Sequence, residues 1–179
     1  SANNDAGASY DVSLNMNPSL GTEILSGLNI FVAGSVIESR QNAATEEDQY
    51  QGVVGFTYAL GPIEIGTMVS GLYTGQEDPE SHIFNTYKNN AFGVAFNVND
   101  DLSVSYGDFE SKRGFVNPVA QGGGTANRPV TIAADSWQIA YSMGGASLKV
   151  AKTKVENSQY VSGAEGDHEG TTLALSLAF

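Results

Sequence analysis

Apolar and polar residues alternate along most of this chain with a period of two. That is the repeat of an extended strand, whose successive side chains point to opposite faces. Tyr10, Val12, Leu14 and Met16 are interleaved with Asp11, Ser13 and Asn15. The same rhythm returns in Leu28, Ile30, Val32 and Val36, in Val54, Phe56, Tyr58 and Leu60, and in Ile63, Ile65, Val69 and Tyr73. It continues through Phe92, Val94, Phe96 and Val98, then Leu102, Val104 and Tyr106, then Trp137, Ile139, Tyr141 and Met143. Leu148 and Val150 make a shorter row, and Leu173, Leu175, Leu177 and Phe179 make the last. The pattern predicts nine strands, near 8–17, 28–39, 51–60, 63–75, 87–98, 102–110, 132–143, 146–155 and 171–179. Helical spacing is not found at any useful length.

The opposite faces of these strands are polar but small. Gly55, Thr57 and Ala59, then Ala91, Gly93, Ala95 and Asn97, then Ser136, Gln138, Ala140 and Ser142 are representative. A water-facing sheet surface carries long charged side chains, and a packed interior carries branched ones. Small hydroxyls and alanines suit a wide aqueous space that they line without filling. The joins alternate as well. Gly61-Pro62, Asn99-Asp100-Asp101 and Gly144-Gly145 are hairpin turns. Strands one and two meet through Pro18 to Ser26, and the remaining joins, near 40–50, 76–86, 111–131 and 156–170, are long and polar. Short turns at one rim and long loops at the other predict an antiparallel up-and-down barrel.

Charge sharpens this picture. The 179 residues hold 20 Asp+Glu against 8 Lys+Arg, a formal charge of −12, which argues against phosphate-neutralising nucleic-acid binding. The carboxylates follow the loops: Glu46, Glu47 and Asp48, then Glu77, Asp78 and Glu80, then Asp108 and Glu110, then Glu156, Glu165, Asp167 and Glu169. The apolar faces stay nearly clean, as a lipid-facing belt requires, with Asp135, Lys152 and Lys154 near the loop ends. Parity adds a further expectation. A last strand ending at the short-turn rim forces the first of nine to enter from the loop rim, whereas single-chain bacterial barrels have an even strand count. Nine strands are then the C-terminal part of a larger barrel, with seven or more strands upstream of Ser1.

The stretch from Asn90 to Gly107 resembles the strand–turn–strand hairpins of Gram-negative general-diffusion porins, above all the alphaproteobacterial type. The ending Thr171-Thr172-Leu173-Ala174-Leu175-Ser176-Leu177-Ala178-Phe179 resembles their closing strand. The resemblance implies an all-β transmembrane barrel of 16 strands in the bacterial outer membrane, assembled as a homotrimer and open to ions and small hydrophilic solutes. It implies that Leu173, Leu175, Leu177 and Phe179 are the signal read by the outer-membrane assembly machinery. It also places the family's constriction loop and facing basic cluster upstream of Ser1, and leaves the strand 171–179 as this chain's share of the trimer contact.

Candidate residues follow from position. Asp11, Asn15, Asn29, Glu64, Gln138 and Lys149 fall on the small-residue face and are expected to line the pore, where a wall charge biases ion selectivity. Cross-strand pairing is an equal reading of the charged three, Asp11, Glu64 and Lys149. Tyr10, Tyr73 and Trp137 near the loop rim, with Tyr58 and Tyr141 near the turn rim, suit an aromatic girdle. The rim carboxylates are placed to bridge lipopolysaccharide phosphates through Ca²⁺ or Mg²⁺, or simply to keep the rim soluble. Chemistry is otherwise sparse. There is no cysteine, and neither His82 nor His168 has ligand spacing. Glu165 to Glu169 offers hard oxygen ligands to a divalent cation but reads first as a solvated acidic loop, and Gly122-Gly123-Gly124 lacks the context of a phosphate loop. No cofactor, metal centre or enzymatic site is expected. Two other readings remain open: a smaller closed barrel acting as an adhesin or structural anchor, and a soluble β-sandwich binding module, which shows the same period.

Overall fold

The computed structural model describes residues 7–18, 25–39, 47–76, 84–115 and 129–177. Nine strands occupy them: β1 (Ser9–Met16), β2 (Leu28–Ile37), β3 (Gln49–Leu60), β4 (Ile63–Tyr73), β5 (Phe84–Asn97), β6 (Leu102–Phe115), β7 (Thr131–Met143), β8 (Ala146–Glu156) and β9 (His168–Leu177). They form one sheet in sequence order, each strand antiparallel to the next. No α-helix occurs among the described residues, and the sheet is open, with β1 and β9 at its edges. The largest departure from the predicted elements is β6, which runs to Phe115 rather than stopping near 110. Asp108, Glu110 and Lys112 look like the start of a loop, yet they pair with Phe92, Asn90 and Lys88 on one side. On the other side they pair with Asp135, Ala133 and Thr131.

Turn chemistry fixes the hairpins. Gly61 and Gly144 sit at φ +58° and +57°, the left-handed region that a two-residue hairpin demands and side-chain-bearing residues disfavour. In the β5–β6 turn, Asn99 Oδ1 accepts hydrogen bonds from the backbone N–H of Asp101 and Leu102 at 2.9 and 2.8 Å, an Asx turn.

Paired residues in an antiparallel ladder share a face, so the register sorts every side chain. One face carries Tyr10, Val12, Leu14 and Met16 beside Val36, Gly34, Val32 and Ile30. It continues through Phe56, Tyr58, Ile63, Ile65, Phe96, Val104, Ile139 and Val150 to Leu173, Leu175 and Leu177. None of the described apolar side chains is buried; Val12 is 73% exposed and Leu173 70%. Substantial contact between strands is confined to neighbours in sequence. The sheet therefore holds together through its ladders rather than through a core.

The ladder also slopes. The Gly61-Pro62 turn closes at Leu60 and Ile63, and their row runs across the sheet through Phe96 and Val104 to Ile139. The Gly144-Gly145 turn closes lower on β7, at Met143. The turns thus step down by about one residue per strand, which at about 3.4 Å per residue and 4.8 Å between strands inclines the turn rim by about 35° to the strand normal.

Gly55 shows how tightly two strands are held. The Phe31 ring lies directly over it, and a Cβ there would strike that ring and stand 2.6 Å from the Thr67 carbonyl oxygen. Gly55→Ala is expected to destabilise the sheet by about 1–3 kcal/mol. Gly71→Ala, whose Cβ would stand 3.9 Å from the Tyr87 carbonyl oxygen, should stay within about 0.5 kcal/mol. Urea unfolding measures both.

Candidate functional site

Both faces of the sheet are concave in places: an apolar hollow of about 410 Å³ lies among Leu28, Ile30, Val54, Phe56 and Val69, and a polar one lies on the small-residue face. Asp11, Ser13, Ser35, Gln51, Ser70 and Asn89 line a concave trough of about 460 Å³ across β1 to β5. All six residues expected to line a pore lie on this face. Asp11 pairs with Ser35, Asn15 with Phe31 and Asn29 with Thr57. Glu64 pairs with Ala59 and Ala95, Gln138 with Ser105 and Ala151, and Lys149 with Ala140 and Ala174. Their partners are neutral, so Asp11, Glu64 and Lys149 have no charge directly opposite. The six are spread over five strands rather than gathered at one point. Asn29 Oδ1 is buried with no hydrogen-bond partner among the described residues. Among these residues no three His, Asp or Glu side chains converge as a metal site would require.

A polar chain higher on the same face escaped the sequence reading. Asn89 donates from Nδ2 to Ser70 Oγ at 3.0 Å, and Ser111 Oγ donates to Asn89 Oδ1 at 2.5 Å. Ser111 Oγ also meets the Tyr160 hydroxyl at 2.6 Å. Tyr160 comes from the β8–β9 connection, where a single 3-10 turn spans Ser158–Tyr160. Beside it, Arg113 stacks 3.5 Å from the Phe84 ring centroid and 4.5 Å from that of Tyr160. Only the alternation of Tyr87, Asn89, Ser111 and Arg113 with the opposite face marks this cluster in sequence. The arrival of Tyr160 has no local signal.

The apolar face carries the five aromatics expected there. Tyr10, Val36, Tyr50 and Tyr73 share one row at the loop end, and the Tyr50 and Tyr73 rings stack with centroids 6.3 Å apart. Tyr58 and Tyr141 sit near the tight turns, and Trp137 packs on Tyr106 with centroids 4.7 Å apart. The apolar band has a lower edge that follows the sloping turn rim and an upper edge that keeps to the Tyr10 row on β1 to β4 before dropping. It reaches Tyr73 on β4, but on the later strands it ends at Phe92, Tyr106, Trp137, Val150 and Leu173. Allowing for the strand inclination, it is about 17 Å tall from Met143 to Trp137 and about 28 Å from Leu60 to Tyr50.

Charge begins where the band stops, with Lys88, Glu110, Lys112, Asp108, Asp135, Lys152, Lys154 and Glu169 on the same face. Lys152 Nζ pairs with Glu169 at 2.7 Å and Lys154 Nζ with Glu156 at 2.5 Å, both solvent-exposed. Within the acidic stretch before β9, Asp167 Oδ1 accepts the Asn157 backbone N–H at 3.0 Å, so its carboxylate serves the loop's own fold. Leu173, Leu175 and Leu177 lie exposed on the apolar face of an edge strand, while Phe179 lies outside the described residues. So do Glu46, Glu77, Asp78, Glu80, His82 and Gly122-Gly123-Gly124.

Asn89 links three strands to Tyr160, so Asn89→Ala should loosen the 157–167 connection before the sheet. Hydrogen exchange is expected to speed up about tenfold in that connection, the effect of about 1.4 kcal/mol of lost hydrogen bonding. Amides in the middle of β7 should not change. Comparison with protein-family models, with curated proteins and with solved structures finds no match to this chain.

Proposed function

We propose that this chain is part of an outer-membrane porin of the general-diffusion type, a water-filled channel through which ions and small hydrophilic solutes pass passively. The observation that carries the reading is the uncovered apolar band, whose lower edge follows a turn rim inclined by about 35° to the strand normal. Outer-membrane barrels have strands tilted by about 35–45° and an apolar belt about 25 Å tall. About twenty large apolar side chains stand exposed on this face. Covering each contributes on the order of 1–2 kcal/mol, so leaving them in water costs more than the whole net stability of an ordinary domain. Lipid supplies the cover in this reading, and the mixed-charge region beyond the band meets headgroups and lipopolysaccharide.

The opposite face is the channel wall. Selectivity then arises from width and from fixed charges at Asp11, Glu64 and Lys149, with no covalent step and no cofactor. Further strands of the same barrel, 16 in all, pair with the open edges of β1 and β9, and three barrels associate. Leu173, Leu175, Leu177 and Phe179 serve as the assembly signal. A soluble sandwich is less well supported, because it needs a second layer over the apolar face, and no described residue supplies one.

The test is conductance. Full-length protein reconstituted in planar bilayers is expected to give stable, ohmic single channels, and a silent bilayer with correctly inserted protein would overturn the reading. Side-chain polarity offers a second check. Ile139→Lys, on the apolar face, should destabilise the inserted protein by about 2–4 kcal/mol. Its neighbour Gln138→Lys, facing the channel opposite neutral Ser105 and Ala151, should leave stability nearly unchanged and shift the reversal potential in a KCl gradient toward anions.

A further inference from the structure

We infer that the 157–167 connection is a fixed strap that narrows the channel, and that Arg113 is the positive charge of that narrowing, favouring small anionic solutes. The inference rests on the channel reading above. The strap joins β8 to β9 and docks on β6 through Ser111.

The strap is built to stay in place. Asn157, Gln159 and Tyr160 hold φ of 54°, 55° and 59°, left-handed values at three positions within four residues, none of them glycine. Each such residue is disfavoured by about 1–2 kcal/mol, so the conformation persists only where contacts over-determine it. Those contacts are present. Asn157 donates from its backbone N–H to Asp167 and from Nδ2 to the Thr131 carbonyl at 2.9 Å. The backbone N–H of Ser158 reaches the Gly166 carbonyl at 2.6 Å, closing the strap on itself. Tyr160 then docks through its hydroxyl on Ser111, one of the two polar side chains buried among the described residues, and its ring lies 6.1 Å from that of Tyr87.

Direction follows from the register. Tyr87 pairs with Arg113 and Asn89 with Ser111, and both pairs belong to the small-residue face. A loop that docks on them crosses the channel side of the sheet and takes up width there. Arg113 is clamped between Phe84 and Tyr160, with Nη2 3.4 Å from the Tyr160 carbonyl oxygen. It makes no ion pair among the described residues, and its Nε is buried without a partner. Among the described residues its charge is held by ring faces rather than neutralised by a carboxylate, and in this reading its field extends into the passage.

Single-channel recording on the full-length protein tests this with three variants. Tyr160→Ala should raise conductance by about 1.5-fold or more, and Arg113→Gln should shift the reversal potential toward cations. The chain has no cysteine, so Gln159→Cys, at an exposed position, gives one labelling site. Its modification by a bulky methanethiosulfonate after insertion should reduce current, so the readout is taken on protein that has already folded. Current unaffected by that label, together with unchanged conductance in Tyr160→Ala, overturns the strap while leaving the channel standing. An unmodified protein that inserts but carries no current defeats the channel reading itself, and the strap with it.

Discussion

The backbone ladder between neighbouring strands is the interaction on which the rest of this structure depends. A domain with a core can lose a few sheet hydrogen bonds and remain folded through its buried apolar surface. Here no described apolar side chain is buried, and β1 to β9 touch substantially only the strands next to them. Backbone pairing must therefore be nearly complete, and the breaks that occur are small. The one irregularity in the β5–β6 register falls between Phe84 and Thr86, at the loop end of the strands. A slip of one residue anywhere else would turn Leu14, Val54 or Ile139 to the side occupied by Ser13, Val53 and Ala140. Register and two-sidedness are the same fact seen twice.

Inclination links that register to the outer surface. Because the turns descend across the sheet, a belt level with the turn rim must cut diagonally across the rows. The sequence obeys this cut: the Met16 row is apolar on β1 to β3, but reaches Asp108, Asp135, Lys154 and Glu169 on β6 to β9. On the membrane reading proposed above, the sharp change from Trp137 to Asp135 within β7 is the edge of the lipid-facing belt. In an inclined sheet it marks a level.

Much of this is readable from sequence because strand period, turn residues and face polarity are local. The nine strands, the glycine turns at Gly61 and Gly144, and the side on which Asp11, Asn29, Gln138 and Lys149 lie all follow from spacing two residues apart. Three things do not. The end of β6 is hidden because Asp108, Glu110 and Lys112 have the composition of a loop, and only pairing on both sides keeps them extended. Tyr50 lies just before the expected start of its strand, so its stack on Tyr73 was not foreseen. Tyr160 reaches Ser111 across 49 positions of chain, through left-handed residues that carry no glycine to announce them. Alternation says which way a side chain points. It says nothing about which loop comes to meet it.

Nearest-neighbour pairing has a last consequence, for how such a sheet is made and how it changes over generations. A hairpin such as β7–β8, closed by Gly144-Gly145, contains its own register and asks nothing of strands farther away. The sheet can grow by adding one hairpin after another, each templated on the free edge of the one before, without a long-range nucleus. The same independence lets a whole hairpin be duplicated or lost in evolution while every remaining pair keeps its alignment. The width of such a sheet is then a matter of counting, set by how many hairpins it holds rather than by any redesign of each one.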